Sequence, residues 1–247
     1  MRGAPGSVGE PSAPGDGGMT ARAASLELSG TRPRYRRRRP APGEAILFEI
    51  LTVCTGNLCR SPLAEQLLRA RLAPLPVLVR SAGTRGLQGA AMTPEAQRLA
   101  AELGVPADDS ASHRSRLLTE RHLIAPDLIL TMTRLHRREV AELAPARSRG
   151  AFTVREFARL ATAVPDQELR RAADEAGPDA ASRVRALALA VASHRGLVPP
   201  PADPGDDDVV DPYRRPWTTY RLSAAQLEPA IDEVVRALRV ALAARHP

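Results

Sequence analysis

The sequence predicts an α/β fold, a three-layer sandwich with a four-stranded parallel sheet and helices on both faces. Two observations lead there. Four short aliphatic runs, at 46–53, 77–79, 127–132 and 151–154, alternate with segments patterned as helices. The first of these runs is almost continuously apolar, as a strand buried on both faces of a parallel sheet must be.

Residues 1–45 are rich in Gly, Pro, Ser and Arg without hydrophobic period, so they are expected to be a disordered tail ahead of one domain over 46–247. Met19 offers an internal start. The first strand, 46–53, runs into the turn Cys54-Thr55-Gly56-Asn57-Leu58-Cys59-Arg60-Ser61, and a helix follows from Pro62 to about Leu72 with Leu63, Leu67, Leu68 and Leu72 on one face. Pro74 and Pro76 end that pattern before the second strand, which leads into Ser81-Ala82-Gly83-Thr84. A strand, a helix and a strand in this order imply a right-handed crossover.

Thr93-Pro94-Glu95 reads as N-cap, first helical residue and first-turn acid of a helix that stops at Gly104. A polar connection carries Ser112-His113-Arg114-Ser115-Arg116 to the third strand, Asp127–Met132, and a helix is expected from Arg134 to Leu143. The fourth strand, 151–154, precedes a helix beginning at Arg155. Residues 162–208 read as a partly helical insertion, with a helix at Ala180–Ser193 and exposed loop at Pro199–Pro201 and Asp206–Asp208. It is placed as a partial lid or docking surface. A last helix spans about Thr219 to Ala244, where Leu227, Ile231, Val234, Val235 and Leu238 recur at helical spacing.

The formal net charge of +7 is carried by arginine alone, and the 1–45 segment holds eight arginines against four acids. The charge invites a nucleic-acid reading, with the run Arg34–Arg39 as its candidate contact. Abundant Ala and Pro beside the missing Lys point instead to coding bias, so nucleic acid is not the expected partner. No run approaches the ~20 apolar residues of a membrane span, and the N-terminus lacks an apolar signal core. The cytoplasm is the expected location. Cys54 and Cys59, five residues apart, cannot staple a fold, which excludes a disulfide framework.

The turn after the first strand carries the chemistry. A strand, a short turn and a helix N-terminus present free N–H groups and partial positive charge to an anion, and they favour a cysteine thiolate. Cys54 and Arg60 stand in a Cys-x5-Arg spacing that lets the N–H groups converge while the guanidinium fork closes over the same anion. Gly56 permits close backbone approach, Asn57 tolerates a left-handed conformation, and the Ser61 hydroxyl is placed to donate to the Cys54 sulfur.

With Ser81-Ala82-Gly83-Thr84, Ser112–Leu117, Phe152–Phe157 and Val210-Asp211-Pro212-Tyr213, this turn resembles the low-molecular-weight protein tyrosine phosphatases, especially bacterial members, over about 47–160 and 209–244. The resemblance implies a phosphatase loop at 54–61 and a phosphocysteine on Cys54. Arg60 and the loop residues Thr55, Gly56, Asn57, Leu58, Cys59 and Ser61 would hold phosphate, with Asp211 as general acid and base. It further implies Ser81 and His113 as braces and Tyr213 as a wall for a phosphoryl substrate, a phosphorylated protein or small phosphoester. No cofactor or metal is implied. Relatives commonly place an aromatic where Leu87 stands and leucine where Thr55 stands. Cys59 carries either a reversible disulfide with Cys54 or the plain role of a half-buried thiol. Arsenate reduction with a low-molecular-weight thiol, and a non-catalytic phosphate-binding module, are the competing functions.

Overall fold

The computed structural model describes residues 1, 3, 48–73, 75 and 77–243. The expected tail over 1–45, beyond Met1 and Gly3, lies outside the described residues, as do Met19, Pro74, Pro76 and the last four positions. The chain divides into two units, Met1–Pro33 and Arg34–Pro247, and the sheet belongs to the second.

Strands β1 (Phe48–Cys54), β2 (Val77–Gly83), β3 (Leu128–Thr131) and β4 (Ala151–Thr153) pair in parallel in the order β2-β1-β3-β4. The side chains follow the period of two. Phe48, Ile50, Leu128, Leu130 and Phe152 enter one core, while Leu51, Val53, Ile129 and Ala151 enter the other. The first core is the larger, closed by α1 (Arg60–Leu72), α2 (Pro94–Glu102), α5 (Val154–Ala163), α6 (Asp166–Glu175), α7 (Ala180–Ser193) and α8 (Trp217–Leu242). On the opposite face α4 (Arg134–Leu143) supplies Val140, beside Leu118 and Leu123 from the connection. Helix α3 (Ala107–Ser112) lies in that connection.

Strand order changes direction between β1 and β3. In open α/β sheets the crevice at the carboxyl ends of such neighbouring strands is where ligands bind. Cys54 ends β1 there, level with Gly83 of β2.

Most expected elements occur. Several boundaries shift, with α1 beginning at Arg60 rather than Pro62, β2 running on to Gly83 and α8 beginning at Trp217. Three further corrections have a clear physical reason. Helix α5 starts at Val154, one residue before the expected start, and β4 ends at Thr153. The cause is a capping box: the Thr153 hydroxyl accepts the Glu156 N–H at 3.0 Å while Glu156 Oε2 accepts the Thr153 N–H at 3.2 Å. Helices α3 and α6 were not anticipated; α6 buries only Leu169 and Ala173, too little for a clear period.

The third correction concerns the acidic run. Asp207 is buried, accepts Arg159 Nε at 3.1 Å and Nη2 at 2.7 Å, and its carbonyl accepts the Thr153 hydroxyl at 2.6 Å. Asp208 caps α4 by accepting the Arg134 N–H at 2.8 Å. Paired and bonded in this way, these two aspartates are not exposed loop. The insertion helices also pack inward, burying Val184, Leu187 and Val191 of α7 in the core shared with α5 and α8.

Candidate active site

The loop from Cys54 to Ser61 is shaped by Asn57, whose φ of 55° is the left-handed conformation asparagine tolerates. Its side chain is fully buried and fully used. Nδ2 donates to Ser61 Oγ at 3.0 Å and to Ser81 Oγ at 2.8 Å, while Oδ1 accepts the Arg116 N–H at 2.9 Å. The Asn57 carbonyl accepts His113 Nε2 at 2.8 Å, which fixes the proton on that nitrogen. Burial pushes the His113 pKa down, so the ring braces the loop in its neutral form. Ser81 in turn donates to the buried carboxylate of Glu65, which also pairs with Arg69.

Backbone from β2 closes against the loop. Thr84 N–H bonds the Cys54 carbonyl and Arg85 N–H the Thr55 carbonyl, both at 2.9 Å. Gly83 is required: a Cβ there would lie 2.6 Å from the Thr55 oxygen and 2.8 Å from the Asn57 nitrogen.

The Cys54 sulfur lies at the base of the loop, buried, and takes two donors. Ser61 Oγ–H donates at 3.0 Å and Asn57 N–H at 3.2 Å. Both stabilise a thiolate, as does the N-terminus of α1 beginning at Arg60. Arg60 folds back over the loop with only 4% of its surface exposed. Its Nη1 donates to the Val209 carbonyl at 3.0 Å, and its Nη2 lies 2.9 Å from Asp211 Oδ2 and 3.4 Å from Thr55 Oγ1. Nε is buried and has no hydrogen-bond partner among the described residues. A buried guanidinium N–H without an acceptor is costly, and an oxyanion resting on the loop would supply one.

Asp211 is half exposed and begins a turn in which its Oδ1 accepts the Tyr213 N–H at 3.2 Å. Val210 N–H, bonded to Gln226 Oε1 at 2.9 Å, ties this segment to α8. Tyr213 is 42% exposed, with the Arg214 guanidinium 5.2 Å from its ring centre, and Leu87 is 74% exposed. Cys59 differs from Cys54 in its surroundings. Its thiol is buried, 3.4 Å from Thr93 Oγ1 and 3.8 Å from Tyr220 Oη, and burial pushes its pKa up to about 11.

Thus Cys54, Arg60, Asp211, Ser61 and the loop residues converge, with Ser81 and His113 behind them. Several neighbours were not singled out by sequence reasoning. His136 lies 2.8 Å from the Thr55 hydroxyl, Tyr220 supports Cys59, and the Val209 carbonyl orients Arg60. Only Thr133, a hydroxyl three residues ahead of His136 at a helix start, left a trace in the sequence, and it points to a cap rather than to the loop. Among the described residues, no group of His, Cys, Asp and Glu could hold a metal ion.

The family described as low molecular weight phosphotyrosine protein phosphatase matches residues 49–196, which stops short of Asp211. The chain is 36% identical over 145 residues to the probable low molecular weight protein-tyrosine-phosphatase EpsP of Ralstonia nicotianae, covering 56% of this chain and 97% of that one. It is 27% identical over 192 residues to the protein-arginine-phosphatase of Geobacillus stearothermophilus, covering 78% and 97%. Among solved structures, the YwlE arginine phosphatase from Geobacillus stearothermophilus aligns with a TM-score of 0.55 at 26% identity, over 81% of this chain and 99% of that one. The low molecular weight protein tyrosine phosphatase from T. tengcongensis aligns with a TM-score of 0.53 at 26% identity, over 76% and 98%.

Proposed function

Because the chain belongs to the low molecular weight phosphotyrosine protein phosphatase family, we propose that it removes phosphate from tyrosine in proteins through a phosphocysteine on Cys54. The observation that carries this reading is the meeting, at one loop, of a doubly hydrogen-bonded sulfur, a buried guanidinium whose Nε–H has no partner among the described residues, and the Asp211 carboxylate 2.9 Å from that guanidinium.

In the first step the Cys54 thiolate attacks phosphorus in line, forming the S–P bond as the P–O bond to the phenol breaks. The loop N–H groups and Arg60 hold the equatorial oxygens, where charge must be stabilised in the transition state. Protonated Asp211 gives its proton to the departing oxygen. In the second step the Asp211 carboxylate takes a proton from water, whose oxygen attacks phosphorus, and the thiolate leaves with inorganic phosphate as product. The Ser61 hydroxyl stabilises the sulfur as it departs.

A second reading, hydrolysis of phosphoarginine, is favoured by one observation. The similarity to the protein-arginine-phosphatase extends over 192 residues, against 145 for the probable protein-tyrosine-phosphatase named above. Tyr213 gives the site one half-exposed aromatic, a platform suited to a phenol ring. Hydrolysis of two peptides alike except for phosphotyrosine or phosphoarginine decides between them; phosphotyrosine is expected to give the higher kcat/KM. A chemistry that depends on a reduced thiol suits a reducing compartment, and the cytoplasm is the proposed location. Among the described residues no helix is long and apolar enough to cross a membrane.

A further inference from the structure

His136 is a buried imidazole that the mechanism above does not use, and both of its nitrogens are engaged. It stands in the first turn of α4, 2% exposed. Nδ1 lies 2.8 Å from the hydroxyl of Thr133, the N-cap of that helix, and Nε2 lies 2.8 Å from the hydroxyl of Thr55, the residue directly after Cys54. Burial, with the nearby Arg60 charge as a second cause, holds its pKa down to about 4, so the ring is neutral at physiological pH. A neutral imidazole donates at one nitrogen and accepts at the other. Either order ties the Thr55 hydroxyl to the ring and leaves an oxygen lone pair for Arg60 Nη2, 3.4 Å away.

The same turn reaches Arg60 by a second route. Arg134 donates its N–H to Asp208 at 2.8 Å and its guanidinium pairs with the same carboxylate at 3.1 Å. Asp208 immediately precedes Val209, whose carbonyl accepts Arg60 Nη1 at 3.0 Å. One helical turn therefore holds the guanidinium from two sides, through Thr55 at Nη2 and through Val209 at Nη1. With both Nη atoms tethered, the Nε–H, without a partner among the described residues, is aimed by the plane of the fork.

We propose that His136 is a positioning residue for phosphate binding: through the Thr55 hydroxyl it sets the plane of the Arg60 guanidinium that receives the phosphoryl oxygens. The proposal rests on the phosphatase reading of the Cys54 loop. It also explains why a polar residue occupies position 55. The hydroxyl is a link in a chain running inward to α4, rather than a polar surface offered to the substrate.

The test measures inorganic phosphate affinity by titration calorimetry, which needs no turnover, for wild type, His136→Phe, His136→Gln, Thr55→Val and the His136→Phe/Thr55→Val double variant. The loss of one buried hydrogen bond beside a charged group predicts affinity weaker by about ten-fold in His136→Phe and in Thr55→Val. If His136 acts through Thr55, the double variant shows the same loss as either single one rather than their product. His136→Gln, which can still bond Thr55, recovers most of the affinity. The proposal is overturned if Thr55→Val binds phosphate like wild type, or if the two losses multiply. It is equally overturned if His136→Phe lowers only the thermal midpoint. Should His136→Phe not fold, His136→Leu with Thr55→Val and their double variant provides the same cycle. A wild-type protein that binds phosphate but hydrolyses no phosphoester would refute the phosphatase reading and leave this comparison standing.

Discussion

Arg60 and Asp211, 151 positions apart in sequence, meet in an ion pair with Nη2 2.9 Å from Oδ2. Arg60 is buried whereas half of Asp211 faces solvent, so the guanidinium is fixed and the carboxylate is the partner able to move. A phosphate dianion and the Asp211 carboxylate compete for one cation. The Asp211 carboxylate is thereby held at the rim of the loop, where the proposed mechanism requires its proton.

Asp211→Asn separates the two consequences. Inorganic phosphate should bind several-fold more tightly, because a competing negative charge is gone. Turnover of a phosphotyrosyl peptide should fall by about 10²–10⁴, the usual contribution of general acid–base help. Steady-state kinetics with phosphate as a competitive inhibitor measures both. Weaker phosphate binding in this variant would contradict the arrangement.

The two cysteines should react differently. Ser61 and Asn57 stabilise a Cys54 thiolate, whereas the Cys59 thiol, pushed up to about 11 by burial, stays protonated at neutral pH. Peptide mapping after brief iodoacetamide treatment at pH 7 should find the label on Cys54, and Ser61→Ala should slow its uptake. Preferential labelling of Cys59 would contradict the assignment.

Stability should fall on acidification below the unfolded-state histidine pKa. His136 is held down to about 4 against an ordinary value of 6.5, so between those values the unfolded chain binds a proton that the folded chain excludes. Stability from this group is complete above pH 6.5 and decreases as pH falls toward 4, by roughly 3 kcal/mol in all. His113, also shifted down by burial, adds in the same direction. Denaturant unfolding across this range should show the decline, and a shallower one in His136→Gln.

The segment leading to Asp211 is braced by Arg159, whose two nitrogens grip Asp207 four residues earlier. Arg159→Ala leaves a largely buried carboxylate without its cation. It should cost about 1–3 kcal/mol of stability. It should also lower kcat by about ten-fold, with KM changing less, because the proton donor loses its fixed position. Leu187→Ala, in the core of α7, should instead cost about 2–5 kcal/mol by leaving a cavity, with kcat/KM unchanged in the folded fraction. A deletion of 162–208 would expose the α8 core, so point substitutions test the insertion more cleanly.

How much the sequence revealed depended on how local the signal was. The four strands and helices α1, α4, α7 and α8 were legible because each carries its own apolar period or caps. Cys54, Asn57, Arg60 and Ser61 were legible because one short turn holds them all. The Ser81–Asn57 bond was anticipated only through a family resemblance, since nothing in the spacing of 24 residues requires it. Asp207 and His136 were missed for a common reason. An aspartate within an acidic run and a histidine on a charged helix look solvated until the partners, Arg159 and Thr55, are brought to them by β-strand crossovers. The short α6 was missed because its two buried side chains give no readable stripe.

The phosphocysteine itself is the most direct test. Rapid quenching of the Asp211→Asn variant with p-nitrophenyl phosphate, whose leaving group needs little protonation, should trap the intermediate because its hydrolysis lacks a base. Mass spectrometry should place one phosphoryl group on the peptide containing Cys54, bound through sulfur. A phosphoryl group on any other residue, or undiminished hydrolysis by Cys54→Ser, would contradict the account.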